Sequence, residues 1–225
     1  MAQEHPIELC VPTPDDFWGM AILQAAAFVE HSWWWESSSL TRRTVETQNN
    51  NYQTYQRYHQ HAPTKLQHCR IIKSPDGKSV RAACQLQLRA RTAEVFVEWL
   101  ACDPAHMNQG MGSLLLAWAA SFAKQELQAK VLTLYVVKAN TGAVRLYERR
   151  GFVVQKVRNY SVCSQVSDGL WSLLCMGMDR HWTVLTMEKD LSGSFEAVDT
   201  PRPALVAPPP VVVVEALPTV LQEAC

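Results

Sequence analysis

Residues 93–113, AEVFVEWLACDPAHMNQGMGS, constrain the fold more than any other part of the chain. A β-branched and aromatic run is followed by a short connector, a glycine-bearing loop and apolar residues at helical spacing, which predicts a strand, a turn and a helix. The start of a helix offers backbone N–H groups without intrahelical partners, together with the positive end of the helix dipole. Gly110 and Gly112 would let an anionic group approach the backbone closely. The stretch therefore predicts a site for a phosphorylated ligand.

The segments on either side predict a single α/β domain. Residues 13–16, Thr-Pro-Asp-Asp, are typical of a helix start, and we expect this helix to reach about residue 28. Tyrosines at helical spacing predict a longer helix over residues 40–61. Runs rich in β-branched and aromatic residues predict strands at residues 7–11, 66–73, 80–90, 93–102, 131–137, 152–160 and 182–188. Two more helices are expected at residues 110–128 and 141–150, the second ended by Gly151.

The composition changes at residue 192. Residues 192–225 are rich in proline and valine and have neither helical nor alternating periodicity, which is typical of a flexible tail. We therefore expect a folded domain over residues 1–191 and a tail over residues 192–225.

The charge and cysteine content exclude several classes of protein. The 21 Lys and Arg residues equal the 21 Asp and Glu residues, which argues against a general nucleic-acid or acidic-membrane binder. The 7 cysteines are scattered and form no CxxC pair, so neither structural disulfides nor a metal site is expected. The sequence has no recognisable signal peptide and no run long enough to cross a bilayer. We expect a cytoplasmic protein without a membrane partner, with the nucleus left open as a second compartment.

Two separated motifs resemble those of the GNAT superfamily, the acyl-CoA-dependent N-acetyltransferases. Residues 103–113, DPAHMNQGMGS, resemble the family's pyrophosphate loop, R/Q-x-x-G-x-G/A. Residues 140–152, NTGAVRLYERRGF, match N-x-x-A-x-x-L-Y-x-x-x-G-F, and residues 187–191 resemble the family's last strand. Met107 departs from the pattern, because the family generally has Arg or Gln there. The lost charge-assisted contact would cost about 1–3 kcal/mol, while the backbone N–H groups of the loop remain.

The resemblance implies a mixed, mostly antiparallel central sheet flanked by helices, with two central strands that splay apart around the pantetheine arm. It implies acetyl-CoA as the co-substrate, without a metal, and a monomer or homodimer. The residues that it assigns to cofactor binding are Leu100, Ala101, Cys102, Asn108, Gln109, Gly110, Met111, Gly112, Ser113, Asn140 and Ala143.

The expected reaction forms an amide, for which a neutral amine must attack the thioester and the departing thiolate must receive a proton. Tyr147 matches the residue that often acts as the general acid in the family. Glu94 and Glu98 are both candidates for the base, directly or through water, and their spacing on one strand places them on the same face. His31 and His181 are further candidates. Cys102 is expected to pack, since the family transfers the acyl group directly.

The acceptor is an amine whose identity the sequence leaves open among a small molecule, a peptide N-terminus and a lysine side chain. Trp33, Trp34 and Trp35 either pack against the domain or form an aromatic wall of the acceptor pocket. Two other functions stay open. The first is a catalytically weak acyl-CoA-binding module, given Met107, and the second is a scaffold that acts through its tail.

Overall fold

In the described residues, six strands form one sheet: β1 (Cys69–Lys73), β2 (Val80–Arg89), β3 (Glu94–Cys102), β4 (Val131–Val137), β5 (Val153–Ser161) and β6 (His181–Asp190). Their order is β1-β2-β3-β4-β6-β5, and every neighbouring pair is antiparallel except β3 with β4. The structure is a computed structural model that describes residues 7–29, 37–89, 92–161 and 181–193. The predicted mixed, mostly antiparallel sheet is confirmed.

Five helices accompany this sheet in the described part of the chain: α1 (Phe17–Val29), α2 (Ser37–His61), α3 (Thr64–Gln67), α4 (Met111–Gln125) and α5 (Thr141–Arg149). Short 3-10 turns at Pro14–Asp16 and Pro104–His106 lead into α1 and into the loop before α4. None of the described helices is long and apolar enough to span a bilayer.

The strand predicted at residues 7–11 is wrong. Only Cys10 pairs with the sheet, through two backbone hydrogen bonds of 2.9 Å to Ile71. Pro12 has no N–H and Pro14 begins the first turn, so the chain cannot extend this bridge into a strand. The predicted start of β1 at residue 66 is also wrong, because Leu66 lies in α3, which begins directly after Pro63.

The two faces of the sheet pack against different helices. One face, with α4 and α5, forms a core that contains Leu115, Leu132 and Met187. The other face, over β1 to β3, packs against α1 and α2 and buries Phe17 and Tyr55. In α1 the side chains of Phe17, Met20, Ala21 and Leu23 are buried.

A β-bulge in β3 changes which face its side chains reach. Gln85 pairs with Trp99 and Leu86 pairs with Val97, so Glu98 is an extra residue without a partner in β2. Val97 therefore packs in the core under α4, whereas Trp99 packs in the core under α1 and α2. Such bulges bend a strand and redirect a side chain, and they are common beside functional sites.

The two central strands separate after a short paired segment. Residues 94–96 of β3 pair with residues 131–133 of β4, and the rest of β4 pairs with β6 alone. Because β3 and β4 are parallel, they open a gap at their carboxyl ends, where β3 leads into the loop before α4 and β4 leads into α5. The predicted splay of the central strands is confirmed.

The last described core residue is Leu191. It is buried, and its N–H donates to the carbonyl of Lys130 across 2.9 Å. Residues 194–225 lie outside the described residues, so the boundary between domain and tail stays a prediction.

Candidate active site

The loop between β3 and α4 is held at its start by Asp103. The carboxylate accepts a hydrogen bond of 3.0 Å from the N–H of Ala105 and lies 2.9 Å from Nδ1 of His106. The bond from Ala105 and then the contact with His106 lower the pKa of Asp103. The carboxylate therefore stays ionised and caps the 3-10 turn that begins the loop.

The loop then turns through two residues with positive φ, Asn108 at 63° and Gly110 at 81°. Gly110 is the N-cap of α4, and the first bond of the helix runs from the N–H of Leu114 to its carbonyl across 3.0 Å. The N–H groups of residues 111–113 thus lie ahead of the helical bonding pattern. A side chain built on Gly110 would meet nothing within 4 Å, so a ligand can approach the backbone there. This geometry fits an anionic group at the helix start.

Gly112 has a different role from Gly110. A Cβ at Gly112 would lie 3.1 Å from Leu146 in α5 and 3.7 Å from Sγ of Cys102 at the end of β3. The missing side chain therefore brings the start of α4, α5 and the end of β3 close together. Burial raises the pKa of Cys102, so this cysteine is a neutral thiol that packs beside the loop.

The second motif forms α5 and its two caps. Asn140 is the N-cap, and its side-chain oxygen accepts from the N–H of Ala143 across 3.2 Å. At the other end, Gly151 has a φ of 81° and its N–H donates to Glu148, while the N–H of Phe152 donates to the carbonyl of Tyr147. These two bonds form a Schellman motif, which needs a residue in the left-handed region at the position of Gly151. Capping of α5 therefore explains the asparagine at the start of the motif and the glycine at its end.

Tyr147 contributes to this cap and faces the end of β3. Its ring is buried and packs against Phe152, with 5.9 Å between the ring centres. Burial, reinforced by the neighbouring Cys84 and Cys102, raises the pKa of Tyr147, so the phenol is neutral and carries its proton.

Glu94 and Glu98 lie in different surroundings along β3. Glu94 is in the segment paired with β4 and forms an ion pair of 3.2 Å with Arg89. Glu98 is on the bulge, exposed, beyond the point where β4 separates. Its carboxylate accepts a hydrogen bond of 2.7 Å from Nε2 of Gln85 and has no ion pair within the described chain. Glu98 is thus the carboxylate that borders the gap.

The structure brings several of the predicted site residues to this gap. Leu100, Ala101 and Cys102 form the end of β3 beyond the splay, and the loop residues Asn108 and Gln109 are exposed beside them. Trp33, Trp34, Trp35 and His31 lie outside the described residues, and only the backbone of His181 is described. Gln85 was not expected from the sequence. The available signal was a glutamine at an inward position of the alternating segment VRAACQLQLR.

The described residues contain no group of three or more His, Cys, Asp or Glu side chains that could hold a metal ion. No curated protein matches the sequence.

Solved structures of acetyltransferases share this fold at low sequence identity. One is yncA from Salmonella typhimurium with its cofactor acetyl-CoA, at 18% identity and a TM-score of 0.57, covering 87% of this chain and 100% of that one. Another is a mutant of the spermidine N-acetyltransferase SpeG from Vibrio cholerae, at 16% identity and a TM-score of 0.55, covering 82% of this chain and 95% of that one. A third is the PaiA N-acetyltransferase from Thermoplasma acidophilum in complex with coenzyme A, at 14% identity and a TM-score of 0.56, covering 83% of this chain and 99% of that one.

The sequence model of the acetyltransferase (GNAT) family matches residues 29–152, more than half of the chain. This segment contains the splayed strands, the loop before α4 and the whole second motif. The chain belongs to the GNAT family of acetyltransferases.

Proposed function

We propose that the chain is an N-acetyltransferase that transfers an acetyl group from acetyl-CoA directly to a primary amine. The observation that carries the proposal is the gap between β3 and β4, which has the open start of α4 at its edge and Glu98 on its border. Solved relatives of the same fold hold acetyl-CoA or coenzyme A, which supports this cofactor.

The residues at the gap fit the parts of acetyl-CoA. The N–H groups of residues 111–113 would bind the pyrophosphate, since they lie ahead of the helical bonds of α4. The backbone of residues 100–102 would bind the pantetheine arm and the thioester oxygen, because β4 no longer pairs with β3 there. Asn140 and Ala143 at the start of α5 would lie beside the pantetheine.

Glu98 and Tyr147 would carry the two proton transfers. Glu98 removes a proton from the amine, whose nitrogen bonds to the carbonyl carbon of the thioester as the carbon–sulfur bond breaks. Tyr147 donates its proton to the sulfur that leaves. We favour Glu98 over Glu94 as the base because Arg89 already holds Glu94 in an ion pair. Acetyl-CoA supplies the activated acyl group, so no acyl-enzyme is required.

The first test combines binding with product analysis. We expect acetyl-CoA to bind by calorimetry and to raise the melting temperature, since a ligand that binds only the folded state stabilises it. Mass spectrometry of a cell extract treated with the protein and labelled acetyl-CoA should then show acetylated amines. Absence of both binding and thermal protection would exclude the proposed function.

The second test assigns the proton transfers. Tyr147→Phe and Glu98→Gln should each lower kcat by about 10²–10⁴-fold, the range for loss of a general acid or base. Glu126→Gln, an exposed change at the end of α4, is the control and should keep full activity. If Glu94→Gln lowers kcat and Glu98→Gln does not, Glu94 is the base. Unchanged turnover in Tyr147→Phe would remove only the general-acid role.

A catalytically weak acyl-CoA-binding module is the second candidate. It is favoured by Met107, which is 55% exposed in the loop before α4, at the position where the family has Arg or Gln. Acetyl-CoA binding without turnover on any amine of a broad panel would support it.

A further inference from the structure

Gln85 is a buried polar residue whose amide has a partner at each end. Its side chain is 4% exposed, in β2 opposite Trp99. Oε1 accepts from the indole Nε1–H of Trp99 across 3.0 Å, and Nε2 donates to Glu98 across 2.7 Å. Burying an amide is costly unless its hydrogen bonds are made, so both partners matter to this residue.

The two partners allow a single orientation of the amide. An indole N–H can only donate and an ionised carboxylate can only accept. The reversed amide would set its NH₂ group against the indole N–H and its carbonyl against the carboxylate, and both contacts would be repulsive. Trp99 therefore directs the NH₂ group of Gln85 towards Glu98.

This arrangement stabilises the carboxylate at the bulge. Glu98 has no partner residue in β2, so its backbone does not settle where the side chain lies. The hydrogen bond from Gln85 supplies that constraint. The titratable groups of the described elements that sense the charge of Glu98 are Tyr55 in α2 and Cys69 in β1. Burial raises the pKa of each, so both are neutral near neutral pH.

We propose that Gln85 is a positioning residue that fixes the carboxylate of Glu98 beside the gap through a hydrogen-bond chain from Trp99. The proposal rests on the proposed function for its effect on turnover. A residue with only a packing role in the core under α1 and α2 would need neither hydrogen bond.

The test compares the same substitution at two glutamines of β2. Gln85→Met keeps the length of the side chain and removes both hydrogen bonds. Gln87→Met is the matched control, since Gln87 is exposed two residues along on the same face. For Gln85→Met we expect kcat to fall about tenfold or more with the KM for acetyl-CoA unchanged. Gln87→Met should change neither.

Trp99→Phe is the second variant and keeps the test decisive if Gln85→Met fails to fold. It removes the N–H that orients the amide while Gln85 remains, so a smaller fall in kcat is expected. Unchanged kcat in a folded Gln85→Met protein, or in Trp99→Phe if that is the variant that folds, would overturn the proposal.

The NMR signal of the carboxylate separates this inference from the proposed function. With ¹³C-labelled glutamate, the Glu98 signal is assigned by its loss in Glu98→Gln and recorded at pH 7 without substrate. If the chain turns over no amine, the proposed function fails, yet a Glu98 chemical shift that changes in Gln85→Met and not in Gln87→Met still supports the contact of Gln85 with Glu98. An unchanged chemical shift in Gln85→Met contradicts that contact whether or not the chain is active.

Discussion

Met107 lies in the loop before α4 with 55% of its surface exposed, at the position where the family has Arg or Gln. An arginine there would place a positive charge beside the pyrophosphate that we propose binds at the start of α4. A charge-assisted contact of about 1.4 kcal/mol corresponds to tenfold in affinity. We therefore expect Met107→Arg to lower the Kd for acetyl-CoA about tenfold, measured by calorimetry.

The salt dependence of this gain identifies its cause. The advantage of Met107→Arg should shrink as ionic strength rises, because salt screens exposed charges. Met107→Leu is the control of similar size without charge, and it should bind like the wild type. A gain that is equal at low and high salt would contradict an ionic contact with the pyrophosphate.

At the level of single residues, the sequence predicted the roles that depend on the local backbone conformation. Gly110 and Gly151 both have a φ of 81°, as expected for an N-terminal loop and a helix C-cap. The roles of Gly112 and Gln85 depend instead on neighbours distant in sequence, Leu146 in one case and Glu98 with Trp99 in the other. A spacing motif does not contain those contacts, so only the folded chain displays them.

Helix α5 allows a prediction at the level of one element. Gly151→Ala would force a residue with a Cβ into the left-handed region, which costs about 1–2 kcal/mol. The cost should be conformational, because a Cβ there would meet only the flexible end of Lys189 at 3.8 Å. We expect a lower free energy of unfolding by that amount in urea denaturation.

Gly142→Ala makes the same chemical change in the first turn of the same helix. Gly142 does not have a positive φ, and a Cβ would meet only Asn140 at 4.0 Å. Alanine is the better helix former by about 1 kcal/mol in a helix interior, so this variant should be neutral or more stable. Equal destabilisation by both substitutions would show that loss of the Schellman cap is not the cause.

Elements with a long regular pattern were predictable, and those governed by interruptions were not. β4 matches its predicted bounds, and α4 and α5 differ only at their ends, because their apolar residues repeat without a break. Residues 7–11 look like a strand in composition, yet Pro12 and Pro14 end the pairing at Cys10. The bulge at Glu98 inserts one residue into a perfect alternation, which leaves no trace in the hydrophobic pattern.

On the scale of the whole molecule, an ion pair links the α1–α2 layer to the sheet. Asp16, in the turn before α1, lies 2.7 Å from Nζ of Lys73 at the end of β1. It also accepts from the N–H and the hydroxyl of Thr13 across 2.9 and 2.8 Å. Burial alone would raise the pKa of Asp16, but the hydrogen bonds from Lys73 and Thr13 outweigh it and lower the pKa below its usual value.

This lowered pKa gives a signed prediction for stability against pH. A carboxyl with a lower pKa in the folded state stabilises the fold above its unfolded value, about 3.9, and loses that contribution as pH falls through the folded value. Asp16→Asn should therefore cost about 1–2 kcal/mol at pH 7, and the difference from wild type should shrink below about pH 4. Chemical denaturation at several pH values measures this difference in the free energy of unfolding.

Subtracting the wild-type value at each pH removes the contribution of the acidic groups that both proteins share. Asp15→Asn, at an exposed neighbour, is the control and should have the wild-type free energy of unfolding at every pH. A constant cost for Asp16→Asn from pH 7 down to pH 2 would mean that its charge plays no part in joining α1 to the sheet.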